Sequence, residues 1–174
     1  MIYENVNSLK SLRSWKTIGV VGKSNTKDHG LLANAYKVGA HLSRLGHAVL
    51  TGGHHRHVES SVKYQALLGA ISLQNEMSCV RLIGVVPKNI SAQLRPPITV
   101  RRIESDDGPS MKLRYIYIHT QLKSEERDPI TGEVADALIA LCGESGTPRE
   151  VAAALMAGRP VVFFNSLEFL KEKQ

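Results

Sequence analysis

The stretch from Ala135 to Ala154, ADALIALCGESGTPREVAAA, limits the folds open to this chain more than any other. Ala135 to Leu141 is an apolar run broken only by Asp136, the pattern of a strand covered on both faces, as in a parallel α/β sheet. Gly143, Glu144, Ser145 and Gly146 then make a polar, flexible turn. Thr147 suits the N-cap of a helix, Pro148 falls in the first turn, where proline is tolerated, and Glu150 stands three residues after the cap, as a capping box requires. Strand, glycine loop and helix N-terminus in that order make an anion site, because free backbone N–H groups and the helix dipole both favour a phosphate.

The rest of the chain keeps the same alternation. Thr17 to Val21 reads as a first buried strand, and Gly22, Lys23 and Ser24 follow it as a polar loop suited to phosphate or ribose. From Gly30 to Leu45, the apolar residues Leu31, Leu32, Ala35, Val38, Leu42 and Leu45 recur at helical spacing. His47 to Leu50 is a short second strand, and Gly52 and Gly53 after it let a backbone approach a ligand. Val58 to Leu73 reads as a second helix, Val80 to Val86 and Ile98 to Ile103 as strands, Gly158 to Asn165 as a turn and final buried strand, and 167–173 as a short terminal helix. The segment Met111 to Leu122 fits two periods, alternating like a strand through Tyr115–Ile118 while Met111, Tyr115, Ile118 and Leu122 fall at helical spacing. Lys123 to Gly132 reads as a loop, or as a helix that breaks at Pro129. Strands alternating with helices predict an α/β fold: a doubly wound, mostly parallel, Rossmann-like sheet in three α/β/α layers. Residues 1–16 form an N-terminal arm and residues 17–174 a single domain.

Composition narrows the partners. Nothing in the 174 residues reads as a membrane span or a signal peptide, and two cysteines, Cys79 and Cys142, fit a reducing compartment, so a cytoplasmic location is expected. The net charge of +6 suits an anionic ligand. It does not predict nucleic acid, because the basic residues are scattered and only 5% of the chain is aromatic. His54, His55, Arg56 and His57 form a basic lip after the Gly52-Gly53 turn; a metal site is not expected, since adjacent histidines rarely converge on one ion.

The order of these motifs resembles the nucleotide-binding superfamily that includes the Lonely Guy phosphoribohydrolases (once called lysine decarboxylases), the molybdenum cofactor carrier proteins and the DNA-processing protein A. Cys142 to Glu150 corresponds to its PGGxGTxxE loop, Ala135 to Leu141 to its ADAFIAL-like strand, Gly52 to His57 to its GGGxxG turn, and Arg159 to Asn165 to its KPVxLLN strand. Met111-Lys112-Leu113-Arg114 matches its MxxR helix, which favours helix over strand for that segment and makes Gln121 to Glu133 an insertion before the next strand. The chain departs from the pattern at His54, His57 and Glu144, where the motifs carry glycine.

The resemblance implies a small phosphorylated ligand held by Gly22, Lys23, Ser24, Gly52, Gly53, His54, Gly143, Ser145, Gly146 and Thr147. It further implies that Arg114 and Glu150 form a catalytic pair hydrolysing the N-glycosidic bond of a nucleoside 5′-monophosphate. In the alternative, the crevice binds or carries a nucleotide or molybdopterin without turnover. No cofactor is required in either case; molybdopterin would be cargo. Domains of this kind commonly pair through helices, so a homo-oligomer, a dimer or higher, is expected.

Overall fold

The computed structural model describes residues 15–53, 59–77, 79–87, 113–142 and 146–164. Among these residues six strands form one sheet in the order β4-β3-β2-β1-β5-β6, with every neighbouring pair parallel. They are β1 (Thr17–Gly22), β2 (Ala48–Thr51), β3 (Val80–Val86), β4 (Leu113–His119), β5 (Ala137–Leu141) and β6 (Val161–Phe164), joined through α1 (His29–Arg44), α2 (Val62–Ile71), α3 (Ser124–Val134) and α4 (Gly146–Met156). Parallel strands need crossovers, and the alternation of side chains along each strand decides which helices cover which face. Val20, Val49, Leu82 and Leu141 pack against Leu31, Ala35, Val62 and Leu67 of α1 and α2. Their sheet neighbours Val21, Leu50, Ile83 and Leu138 turn to the other face and meet Ile130, Val151 and Ala154 of α3 and α4. The result is the doubly wound, three-layered α/β architecture expected from the sequence.

Local signals explain the boundaries. The Asp28 carboxylate accepts the Leu31 N–H at 2.9 Å and starts α1, and Gly46, at φ +77°, turns the chain out of it. Ser61 caps α2 by accepting the Tyr64 N–H. Helices α1 and α2 touch backbone to backbone, since a Cβ on Gly39 would collide with the Ala66 carbonyl and one on Gly69 with the Tyr36 carbonyl. The single polar residue of the ADALIAL run also has a structural use: Asp136 Oδ2 accepts the Thr17 N–H at 2.8 Å while the Asp136 N–H donates to the Thr17 carbonyl at 2.8 Å, pinning β1 to β5.

Four expectations are corrected. Residues 113–119 are strand rather than helix, because pairing along all of β3 satisfies the backbone while Tyr115 to Ile118 alternate across the sheet. Residues 124–134 are a continuous helix with Pro129 inside it, not a loop or a helix ending at the proline. It starts where the Lys123 N–H donates to Glu126 Oε2 at 3.1 Å, half of a capping box. The last strand is an edge strand, and Val162, Phe163 and Phe164 are exposed rather than buried. Helix α4 opens at Gly146, so Thr147 lies inside it instead of capping it. The expected strand at 98–103 and helix at 167–173 lie outside the described residues.

Candidate functional site

The chain runs outward from β1 through β2 and β3 to β4, then returns to the far side of β1 for β5 and β6. Strand order therefore reverses at the β1/β5 junction, where the loops leaving the carboxyl ends diverge and open a crevice for a ligand. Gly22, Thr51 and Leu141 end their strands at this crevice. A Cβ on Gly22 would strike the Leu141 carbonyl and approach Val62 Cγ1 at 2.6 Å, so only glycine lets β1, β5 and the start of α2 converge. The Lys23 backbone fastens the same junction, donating its N–H to the Cys142 carbonyl at 3.1 Å and accepting the Val62 N–H at 3.0 Å. Ser24 is exposed beside it. Thr26 N–H donates to the Ser60 carbonyl at 2.9 Å, and Ser60 Oγ to Asn25 Oδ1 at 2.8 Å, which ties the loop after β1 to the turn before α2.

Beneath this rim lies a buried group of charges. Lys63, in the first turn of α2, donates from Nζ to Glu150 Oε1 at 3.3 Å; Glu150 is fully buried and Lys63 nearly so. The Glu150 carboxylate thus faces Lys63 rather than the Thr147 N–H that a capping box would offer, and Oε2 has no hydrogen-bond partner among the described residues. Burial is the main influence on this group and pushes its carboxyl above the usual carboxylate range; the Lys63 ammonium pulls in the opposite direction, Asp128 adds to the rise and Arg127 opposes it.

Arg127 comes from α3 on the opposite face of the sheet. It is 5% exposed, and its Nε and Nη1 are buried without a hydrogen-bond partner among the described residues. Gly52 leaves room for it: a Cβ there would collide with Arg127 Nη1 and lie 3.3 Å from Lys63 Nζ. Gly53, at φ +63°, would bring a Cβ within 2.6 Å of Val86 Cγ1 and against the Gly84 backbone, so it accepts no side chain, whereas one at Gly52 would displace the Arg127 guanidinium. Next to Arg127, Asp128 sits with Oδ1 3.5 Å from Arg127 Nη2 and Oδ2 3.9 Å from Arg149 Nη1. Its Oδ2 would be 3.1 Å from a Cβ on Gly146, which places a carboxylate beside the first residue of α4. Among the described residues the cations Lys63, Arg127 and Arg149 face the carboxylates of Asp128 and Glu150, leaving a net positive crevice.

The structure therefore brings together Gly22, Lys23, Gly52, Gly53, Gly146, Thr147 and Glu150 from the expected set. His54, Gly143 and Ser145 lie outside the described residues. Arg114 is not brought to them. Its backbone is the second position of β4, in register with Arg81 and through it with Ala48 and Thr17 at the amino end of the sheet. Five residues of strand, roughly 17 Å, separate it from the crevice end. The residues missed from sequence are Lys63, Arg127 and Asp128. A signal for Arg127 was present, because the resemblance places its arginine helix directly before the ADALIAL strand. Ser124-Glu125-Glu126-Arg127 occupies that place, with serine where the motif has methionine, and the supposed insertion is this helix.

The sequence matches the family described as the SLOG cluster4 family over residues 15–174. No curated protein matches it. Among solved structures, the molybdenum cofactor binding protein of the phototrophic bacterium Rippkaea orientalis superposes with a TM-score of 0.64 at 27% identity, covering 91% of this chain and 81% of its own. The molybdenum cofactor carrier protein of Chlamydomonas reinhardtii gives a TM-score of 0.61 at 28% identity, covering 91% and 82%. DNA processing protein A of Helicobacter pylori, described by its single-stranded DNA binding mode, shares the fold alone at 14% identity and a TM-score of 0.57, covering 94% and 75%. No helix among the described residues is long and apolar enough to cross a membrane.

Proposed function

This chain belongs to the SLOG cluster4 family, and we propose that it binds a phosphorylated, nucleotide-like small molecule in the crevice over β1, β2 and β5 and retains it without cleavage. Arg127 carries this reading. A buried guanidinium with two donor nitrogens unpaired is costly unless an acceptor arrives, and among the described residues none pairs with Arg127 Nε or Nη1, under the bare backbone of Gly52. Its planar donor set matches a phosphate or a carboxylate, and the helix N-terminus beside it favours a phosphate. The α4 N-terminus at Gly146 and Thr147 adds a favourable potential for the same anion, with Arg149 offsetting Asp128. Two structural relatives at 27% and 28% identity are a binding protein and a carrier for molybdenum cofactor, so a phosphorylated pterin stands beside nucleotides as a ligand class.

A hydrolytic reading has one observation in its favour. Glu150 Oε2 is buried and unpartnered among the described residues, and its carboxyl is pushed upward, as suits a general acid–base group. Against it stands the Lys63 ammonium, 3.3 Å from the other oxygen, which offsets the negative charge an oxocarbenium-like ribose would need. Retention is therefore favoured over cleavage.

Calorimetric titration with AMP, GMP, CMP, UMP and a phosphorylated pterin, followed by chromatography for free base, tests the reading. At least one compound should bind and be recovered intact, and Arg127→Gln should weaken it at least tenfold, or about 1.4 kcal/mol. Absence of binding by all five overturns the function; release of free base overturns retention.

A further inference from the structure

We propose that Lys63 is the residue that keeps this crevice from cleaving its ligand: by pairing with Glu150 it occupies the carboxylate that would otherwise stabilise positive charge on a ribose ring. The inference rests on the reading that the crevice binds a nucleoside monophosphate, and it assigns the outcome of binding to one side chain.

The position of Lys63 is unfavourable for a lysine. It is the second residue of α2, in the turn where the helix dipole repels a cation, and only 8% of it is exposed. An ammonium withdrawn from water at that place needs a buried carboxylate, and Glu150 Oε1 at 3.3 Å supplies it. Gly52 leaves it the space it occupies, since a Cβ there would lie 3.3 Å from Nζ. Ser61 caps the helix and the Lys23 carbonyl accepts the Val62 N–H, so the backbone that carries Lys63 is fastened on both sides of the residue before it. The contact joins α2 on one face of the sheet to α4 on the other, across the junction where the strand order reverses.

The chemistry that this pair withholds is definite. In hydrolysis of a nucleoside monophosphate, the C1′–N bond breaks and its electron pair leaves with the base. The oxygen of water bonds to C1′, and the proton that water loses passes through a carboxylate to the departing nitrogen, giving ribose 5-phosphate and free base. A carboxylate assists by its negative charge beside C1′ and by accepting that proton. Pairing with an ammonium diminishes both, since the net field of the pair falls off steeply with distance and the hydrogen bond from Nζ occupies an acceptor position of the carboxylate. Arg127 acts on the Glu150 carboxyl in the same direction but more weakly than Lys63, and among the described residues the hydrogen bond to Glu150 comes from Lys63 while Oε2 has no partner.

The test uses the full-length chain as wild type, Lys63→Met, Lys63→Gln, Lys63→Arg and Lys63→Met combined with Glu150→Gln, each incubated with AMP at neutral pH. Adenine is measured by chromatography and AMP affinity by calorimetry on the same preparations. Lys63→Met or Lys63→Gln should release adenine at least tenfold faster than wild type. Lys63→Arg should stay at the wild-type level, and the double variant should lose the gain. The glutamine variant keeps a polar side chain in the buried position, so the proposal remains testable if the methionine variant does not fold. A folded neutral variant that binds AMP as wild type does and releases adenine no faster overturns the role of Lys63 while leaving the binding reading intact. Failure of the wild type itself to bind AMP or any other monophosphate overturns the binding reading, and this inference with it.

Discussion

Gly132 of α3 lies against the backbone carbonyl of Glu150 in α4, so close that a Cβ on Gly132 would collide with it and approach the Ala154 nitrogen at 2.8 Å. The contact is between main chains, and backbone cannot swing aside as a side chain can. It sets the separation of the two helices beside Arg127 and Asp128, one turn earlier in α3.

Gly132→Ala should therefore act on both stability and site. Adding one methyl to a close backbone contact costs about 1–3 kcal/mol. The helices must separate to accept it, which displaces Arg127 from Gly52. Urea denaturation should show the lower midpoint, and calorimetry a weaker affinity for AMP; an unchanged affinity would mean that α3 does not position the anion site.

The Lys63–Glu150 pair should show strong coupling. Removal of one partner from a buried pair leaves an uncompensated charge, a loss of about 3–5 kcal/mol, whereas removal of both leaves none. Lys63→Met should be clearly destabilised and Lys63→Met with Glu150→Gln should recover most of the loss, by denaturation at neutral pH. Additive effects would show that the two groups do not interact in solution.

Glu150 also predicts a pH dependence. Its folded-state carboxyl is raised by burial above the value it has in an unfolded chain, about 4.3. The folded protein therefore holds the proton more tightly. The contribution of this group to stability is fully present below the unfolded value and is lost as pH rises through the folded one. Glu150→Gln does not titrate, so the Tm difference between variant and wild type should shift in the variant's favour as pH rises from about 4 toward neutrality. A difference that is flat over that range would remove burial of the carboxyl as the cause.

How far the sequence led depends on what each element buries. Helix α1 was legible because Leu31, Ala35 and Leu42 are both apolar and buried, so hydrophobic spacing reports its inner face. Strands β1, β3 and β5 were legible for the same reason. Helix α3 was not, because its inner face is Arg127, Asp128, Thr131 and Gly132, with Pro129 among them. A helix that buries polar groups for a site leaves no apolar stripe to find. Strand β4 carries two periods at once: Met111-Lys112-Leu113-Arg114 resembles a helical motif, while the alternation through Tyr115–Ile118 suits an edge strand paired with β3, and the pairing decides it. Glu150 was found from its spacing but its partner was not, since nothing local to residue 150 points to a lysine of α2.

The glycine contacts between α1 and α2 have a different consequence, for how the protein tolerates change. Gly39 and Gly69 make the two helices meet through main-chain atoms of Ala66 and Tyr36. The distance between the helices is consequently set by atoms that every residue type shares. Exchange of apolar side chains elsewhere along α1, such as Leu31 or Leu42, alters the filling of the core while the spacing of α2, and with it the placement of Lys63, is held by those two crossings. The charged crevice is in this sense insulated from drift in the hydrophobic interior beside it, and two hydrogen atoms in place of side chains provide the insulation.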